Sequence, residues 1–119
     1  MTISYHDFNT LFNAAATEQD KFRFIAEWSS SSIFFPEGED SPDIDAAELS
    51  DALSNIWDVA HLTTRDIRQH MGLTQAAFAE RFCIPRRTVE NWEYRGGRVP
   101  PYNILALADI AGMLKVKRV

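Results

Sequence analysis

The sequence predicts an all-helical protein, and three observations support this fold class. Apolar residues recur at intervals of three and four along most of the 119-residue chain. Residues suited to helix caps stand at the ends of these segments. No segment of useful length alternates between apolar and polar residues, as a half-buried strand would. We therefore expect helices joined by short turns and one acidic loop.

Three helices are predicted in the N-terminal half. Ser4 can cap the first, and Thr17 with Asp20 resembles a capping pair for the second. The second helix is apolar around so much of its circumference that we expect it to be largely buried, through Phe22, Phe24, Ile25 and Trp28. Residues 33–45 include two prolines, a glycine and five acids, and are predicted to form a solvated loop. The third helix has an apolar stripe at Leu49, Leu53, Ile56, Trp57 and Ala60.

Four shorter helices are predicted in the C-terminal half. Thr63 can cap the first of them, which should end at Gly72. Three more helices fit in quick succession, over residues 74–82, 86–94 and 101 to about 114. The last five residues, 115–119, are predicted to be a frayed basic tail. Their alternating pattern leaves open a short strand that pairs across a dimer.

The two halves of the chain differ strongly in charge. The net charge of −5 divides into two basic against twelve acidic residues over 1–60, and ten basic against five acidic residues over 61–119. Such asymmetry is typical of a basic binding module joined to an acidic partner segment. We therefore expect an acidic helical extension at residues 1–45 and a binding domain at residues 46–119.

Composition gives no support to catalysis, metal binding or membrane insertion. The single cysteine, Cys83, cannot form an intramolecular disulfide, and the three histidines are too scattered to share a metal. No nucleophile motif, phosphate loop, signal peptide or membrane-length apolar run is visible. We expect a cytoplasmic protein that is not an enzyme and carries no cofactor.

The segment 73–93, Leu-Thr-Gln-Ala-Ala-Phe-Ala-Glu-Arg-Phe-Cys-Ile-Pro-Arg-Arg-Thr-Val-Glu-Asn-Trp-Glu, has the pattern of two helices that cross over a short turn. Ala77 is small enough for the crossing point. Thr74 can cap the first helix and leave Gln75 at its N-terminus, where amides can hold a phosphate. A shared core between the two helices is predicted from Phe78, Phe82, Ile84, Val89 and Trp92.

The second of these helices is predicted to present a DNA-binding face. Arg86 and Arg87 lie at its N-terminus, where guanidinium groups can contact guanine edges in the major groove. The alternative is a solvated arginine pair that balances Glu90 and Glu93 at helical spacing. Arg95 and Arg98 follow in the next loop, either as phosphate contacts or as ordinary loop residues.

These residues resemble the helix-turn-helix of the Cro and phage-repressor (XRE-type) family over about residues 62–113. The resemblance implies a lambda-repressor-like helical bundle that binds an operator, commonly as a symmetric dimer. By position it assigns Gln75, Arg86, Arg87 and Asn91 to the DNA face, and we expect Thr88 and Glu90 on the same face. The turn residue that the family usually fills with glycine is Cys83 here, so a positive φ is expected at a residue with a side chain.

The resulting hypothesis is a sequence-specific transcription regulator, such as a repressor, of a phage, mobile-element or toxin–antitoxin operon. Its partners would be double-stranded operator DNA, a second copy of the chain and a further protein bound by the N-terminal region. One alternative is an interaction module, such as an antitoxin that neutralises a partner protein through its acidic half. Another is a purely structural adaptor, which predicts no salt-dependent DNA binding.

Overall fold

The computed structural model describes residues 1–36, 43–94 and 98–119, and helices account for most of them. The all-helical prediction is confirmed, with one pair of two-residue strands added. The described elements are, in chain order, β1 (Thr2–Ile3), α1 (Tyr5–Thr17), α2 (Lys21–Trp28), α3 (Ala46–Ala60), α4 (Thr64–His70), α5 (Gln75–Arg81), α6 (Arg86–Tyr94), α7 (Pro101–Ile110) and β2 (Lys117–Arg118). The predicted acidic loop falls partly on residues 37–42, outside the described residues.

The chain packs as two compact units. Unit 1 comprises residues 1–61 and 114–119, and unit 2 comprises residues 62–113. The helix α3 packs on α1 and α2 and so belongs to unit 1, because its apolar stripe is buried there at Leu49, Leu53 and Ile56. The packing therefore divides at residues 61 and 62, and not at the boundary of 45 and 46 expected from the sequence.

The helix α2 departs from its expected burial. Phe24 has no exposed surface, whereas Phe22 is 80% exposed, and Ile25 and Trp28 are half-buried. Successive helical residues are rotated by about 100°, so Phe22 and Phe24 lie on opposite sides of the helix. Only one of these sides faces the core. The N-cap is Asp20, whose carboxylate accepts from the backbone N–H groups of Phe22 and Arg23.

The C-terminal residues form a strand within the chain, so the expected frayed tail is wrong. The strand β2 runs parallel to β1, with Thr2 opposite Lys117 and Ile3 opposite Arg118. Backbone hydrogen bonds hold it, such as Lys117 N–H to Met1 O at 3.0 Å and Val119 N–H to Ile3 O at 3.1 Å. Three basic residues thus belong to unit 1. Unit 2 then has seven arginines against five acids, a net charge of only +2.

Caps set the starts of α4 and α5 in unit 2 as the sequence predicted. Thr63 and Asp66 form a reciprocal capping box on α4, and the chain leaves this helix through Gly72 at φ +70°. The Thr74 hydroxyl accepts from the N–H of Ala77 at the start of α5. The last helix, α7, ends at Ile110 and not near residue 114, because Gly112 takes φ +77° and turns the chain. The unit's fully buried side chains include Ile67, Phe78 and Val89.

Candidate nucleic-acid interface

The helices α5 and α6 are joined by a four-residue turn, residues 82–85. Phe78 and Ala79 on α5 and Val89 on α6 are buried, while Phe82, Ile84 and Trp92 are half-buried. The N–H of Ile84 donates to the Ala79 carbonyl at 2.9 Å and closes the turn. The expected pair of short helices over a shared core is therefore present, and it holds α6 with one face outward.

Cys83, within this turn, has φ +54°, as expected at the position that the family usually fills with glycine. Its side chain is exposed. A residue with a Cβ pays about 1–2 kcal/mol in this left-handed region, because the Cβ crowds the following carbonyl. The turn is thus strained at one residue, whose exposed side chain is not buried against a neighbour.

We expect Cys83→Gly to raise the free energy of unfolding by about 0.5–1 kcal/mol. Glycine removes the steric cost, and part of this gain is lost to the greater freedom of glycine in the unfolded chain. Urea denaturation followed by circular dichroism measures the change. The matched control is Cys83→Ala, which keeps a Cβ and should leave stability within about 0.5 kcal/mol. A glycine variant less stable than the alanine variant would contradict the strain.

A buried polar network links α4, α5 and α6. The Glu93 side chain has no exposed surface, and that of Arg68 is 13% exposed. Arg68 donates to Glu93 through Nη2 to Oε1 at 2.7 Å and through Nε to both carboxylate oxygens at 3.2 Å. Arg68 Nη1 also donates to the Leu73 carbonyl at 3.0 Å. The guanidinium therefore ties α6 to the segment that leads into α5.

Sequence reasoning missed this network, because Arg68 and Glu93 are 25 residues apart in the chain. It had offered Glu93 as a surface partner of the Arg86–Arg87 pair, and that alternative is wrong for Glu93. The signal was the spacing of α6: Glu93 stands one turn after the buried Val89 and so on the same inward face.

Gln75 joins the network through its amide. Its Nε2 donates to Glu93 Oε2 at 3.0 Å, and the residue is half-buried. A carboxylate only accepts hydrogen bonds, so the nitrogen of the amide must face Glu93. One N–H of the two remains for another acceptor, such as the phosphate expected from the sequence.

The outward face of α6 carries the other predicted contacts. Arg86, Arg87 and Asn91 are exposed, and Thr88 and Glu90 are half-buried. Arg86 Nε lies 3.3 Å from Glu90 Oε1, with side chains 65% and 45% exposed. The alternative interpretation, a solvated arginine pair balanced by glutamates on the same helix, is therefore correct in part: Arg86 and Glu90 form an i,i+4 ion pair. Within the described ranges, the side chain of Arg87 has no hydrogen bond or ion pair.

The N-terminus of α6 is preceded by Pro85, which has no polar side chain to cap it. The Pro85 carbonyl accepts from the N–H groups of Thr88 at 2.9 Å and Val89 at 3.3 Å. In the parts of the chain that the structure describes, the N–H groups of Arg86 and Arg87 have no acceptor. Positive partial charge from these groups adds to the two guanidinium charges, so this end of α6 attracts anions.

The remaining loop arginines contribute less to the geometry. Arg98 is exposed, and Arg95 lies outside the described residues.

Over the ranges 1–36, 43–94 and 98–119, no helix is long and apolar enough to cross a membrane. In the same ranges no group of His, Cys, Asp and Glu side chains is arranged to hold a metal ion.

Residues 65–113 match the model of the helix-turn-helix family. The match covers α4 to α7 and lies within the resemblance expected over residues 62–113. No curated protein and no solved structure gave a significant match to the chain. The match supports a DNA-binding regulator. Residues 65–113 therefore form a helix-turn-helix domain that is similar to those of the XRE type.

Proposed function

We propose that this protein is a sequence-specific transcription regulator that inserts α6 into the major groove of an operator. One observation carries the proposal: α6 leads with two exposed guanidinium groups on a scaffold that matches a DNA-binding family. A helix fits the major groove, where arginine can donate two hydrogen bonds to guanine O6 and N7. The proposal includes no catalytic step.

The proposed contacts divide into base and backbone contacts. Arg86 and Arg87 reach base edges, with Thr88 and Glu90 beside them on the DNA face. Gln75 and Asn91 support the arginines or contact phosphates, and Arg95 and Arg98 add affinity for the backbone. Arg86 and Arg87 lie side by side at the N-terminus of α6 in a unit with a net charge of +2, so the local charge at this helix end and not the total charge favours the phosphates.

We further propose a cytoplasmic repressor that acts as a symmetric dimer in a phage, mobile-element or toxin–antitoxin operon. Two-fold symmetry would require operator half-sites about one helical turn of DNA apart, roughly 34–36 Å. Tyr102 and Ile110 on α7 are 70% and 62% exposed and offer apolar surface to a second copy.

A second candidate function is that of an interaction module, such as an antitoxin. Unit 1 carries twelve acids against five basic residues and exposes Phe22. An acidic surface with an exposed aromatic side chain suits a basic protein partner. The two functions are compatible, because DNA binding and partner binding would use different units. A structural adaptor would show no salt-dependent DNA binding at all.

Selection of bound DNA from a random pool tests the proposed function, with the full chain and with the variants Arg86→Ala and Arg87→Ala. We expect the wild-type chain to select a defined sequence. Each base-reading arginine should contribute about 1–3 kcal/mol of discrimination, so its loss relaxes the preference at particular positions. The affinity should fall steeply with salt.

Arg65→Ala is the matched control, because Arg65 is an exposed arginine on α4 and outside the proposed face. It removes the same charge and should leave the selected sequence unchanged. A wild-type chain without salt-dependent DNA binding would overturn the proposal. A loss in Arg86→Ala and Arg87→Ala that is uniform over all sequences would reduce both arginines to phosphate contacts.

A further inference from the structure

The two leading arginines of α6 differ in their surroundings. Arg86 forms an ion pair with Glu90, one helical turn later, with its Nε 3.3 Å from the carboxylate. Arg87 has no such acceptor among the described residues. A guanidinium engaged at Nε keeps its two Nη groups free, and these form the parallel donor pair that fits guanine O6 and N7. The geometry thus orients Arg86, and not Arg87, for contact with a base edge.

We propose that Glu90 is a positioning and specificity-determining residue, which makes Arg86 the base-reading arginine and leaves Arg87 to the phosphates. This inference rests on the proposed function and narrows it, because it moves Arg87 from the base edges to the phosphates. The sequence had given the two arginines the same role. The ion pair with Glu90, which Arg86 has and Arg87 lacks among the described residues, separates these roles.

The ion pair matters more at the duplex than in the free protein. Both side chains are largely in water, where an i,i+4 pair is weak and screened by salt. Binding removes much of this water, and the attraction between the two groups then strengthens. An arginine held in place also loses less rotamer freedom when it meets the guanine.

Glu90 also has a cost that a specificity residue is expected to have. Its carboxylate repels phosphates, so it weakens binding to every DNA sequence alike. Discrimination against wrong partners commonly includes such a repulsive element. Glu90 therefore lowers the affinity for all DNA sequences and raises the preference for guanine at the one base pair that Arg86 reads.

Two variants with the same charge separate positioning from repulsion. Glu90→Gln keeps an oxygen beside Arg86 that can accept a hydrogen bond from its Nε, whereas Glu90→Ala removes it. Both lack the carboxylate, so both should bind non-specific DNA more tightly than the wild-type chain. We expect the preference for guanine over adenine at the Arg86 position to be about 3- to 10-fold lower in Glu90→Ala than in Glu90→Gln.

The measurement is the dissociation constant of the full chain on the selected operator, at several salt concentrations. A second probe is the operator with 7-deazaguanine in place of the guanine whose preference is lost in Arg86→Ala. This base lacks the N7 acceptor, so the penalty it causes should be smaller in Glu90→Ala than in Glu90→Gln. In an Arg86→Ala background the two Glu90 variants should behave identically.

Glu80→Gln, an exposed glutamate on α5, controls for the loss of one negative charge and should keep the guanine preference. Melting temperatures check that each variant is folded. Equal guanine preference in Glu90→Gln and Glu90→Ala, on a wild-type chain that selects an operator, would overturn this inference alone. A wild-type chain with no salt-dependent DNA binding would overturn the proposed function and this inference together.

Discussion

Arg68→Ala is expected to lower the free energy of unfolding of unit 2 by about 3–5 kcal/mol. The change removes the guanidinium that pairs with Glu93, whose side chain has no exposed surface. The carboxylate keeps only the Gln75 amide as a described side-chain donor. A buried charge without its charged partner pays a desolvation cost that one amide hydrogen bond offsets only in part.

Amide hydrogen exchange of the α5 and α6 backbone measures this change, because it reports on unit 2 separately from unit 1. Arg65→Ala is the control on the same helix, and it should change stability by less than about 0.5 kcal/mol because Arg65 is exposed. Arg68→Met combined with Glu93→Leu removes both charges and should recover much of the loss. An Arg68→Ala effect as small as that of Arg65→Ala would contradict the network.

Phe24→Ala is expected to destabilise unit 1 by about 3–5 kcal/mol, whereas Phe22→Ala should change its stability by less than about 0.5 kcal/mol. The two phenylalanines lie two residues apart on α2. The structure buries Phe24 completely and leaves Phe22 80% exposed. Truncation of a buried ring leaves a cavity in the core, which lowers the free energy of unfolding. Water fills the space left by an exposed ring, so its truncation has little effect.

This pair of variants is its own control, since the same chemical change is made twice on one helix. Thermal unfolding of the full chain with hydrogen exchange of α1 and α3 amides compares the two effects. Equal destabilisation by both changes would contradict the exposure of Phe22. A protein partner that binds α2 would add a second difference, because Phe22→Ala would then weaken that complex and leave the fold intact.

Many features of the fold and of the candidate site could be predicted from residues close together in the sequence. The caps at Ser4, Thr63 and Thr74 were predicted, because a capping side chain bonds to backbone groups only two or three residues away. The exposed arginines of α6 were expected from helical spacing, and the positive φ at Cys83 was expected from the resemblance to a family that usually has glycine at this turn position. Each of these features depends on neighbours close in sequence.

Contacts between distant residues were beyond the reach of the sequence pattern. The burial of Glu93 by Arg68 and Gln75 depends on how α4, α5 and α6 pack, and the pairing of β2 with β1 joins the two ends of the chain. The periodicity of α2 showed which residues are apolar but not which side of the helix meets a neighbour.

The sequence by itself determined the helices, their caps and the cationic edge of α6, because these follow from backbone geometry and side chains within one or two turns. Only the tertiary structure decided which charges are buried, which apolar side chains stay in water and which unit holds the basic C-terminus. Those outcomes depend on solvent exclusion between segments far apart in the chain, and solvent exclusion is a property of the packed molecule.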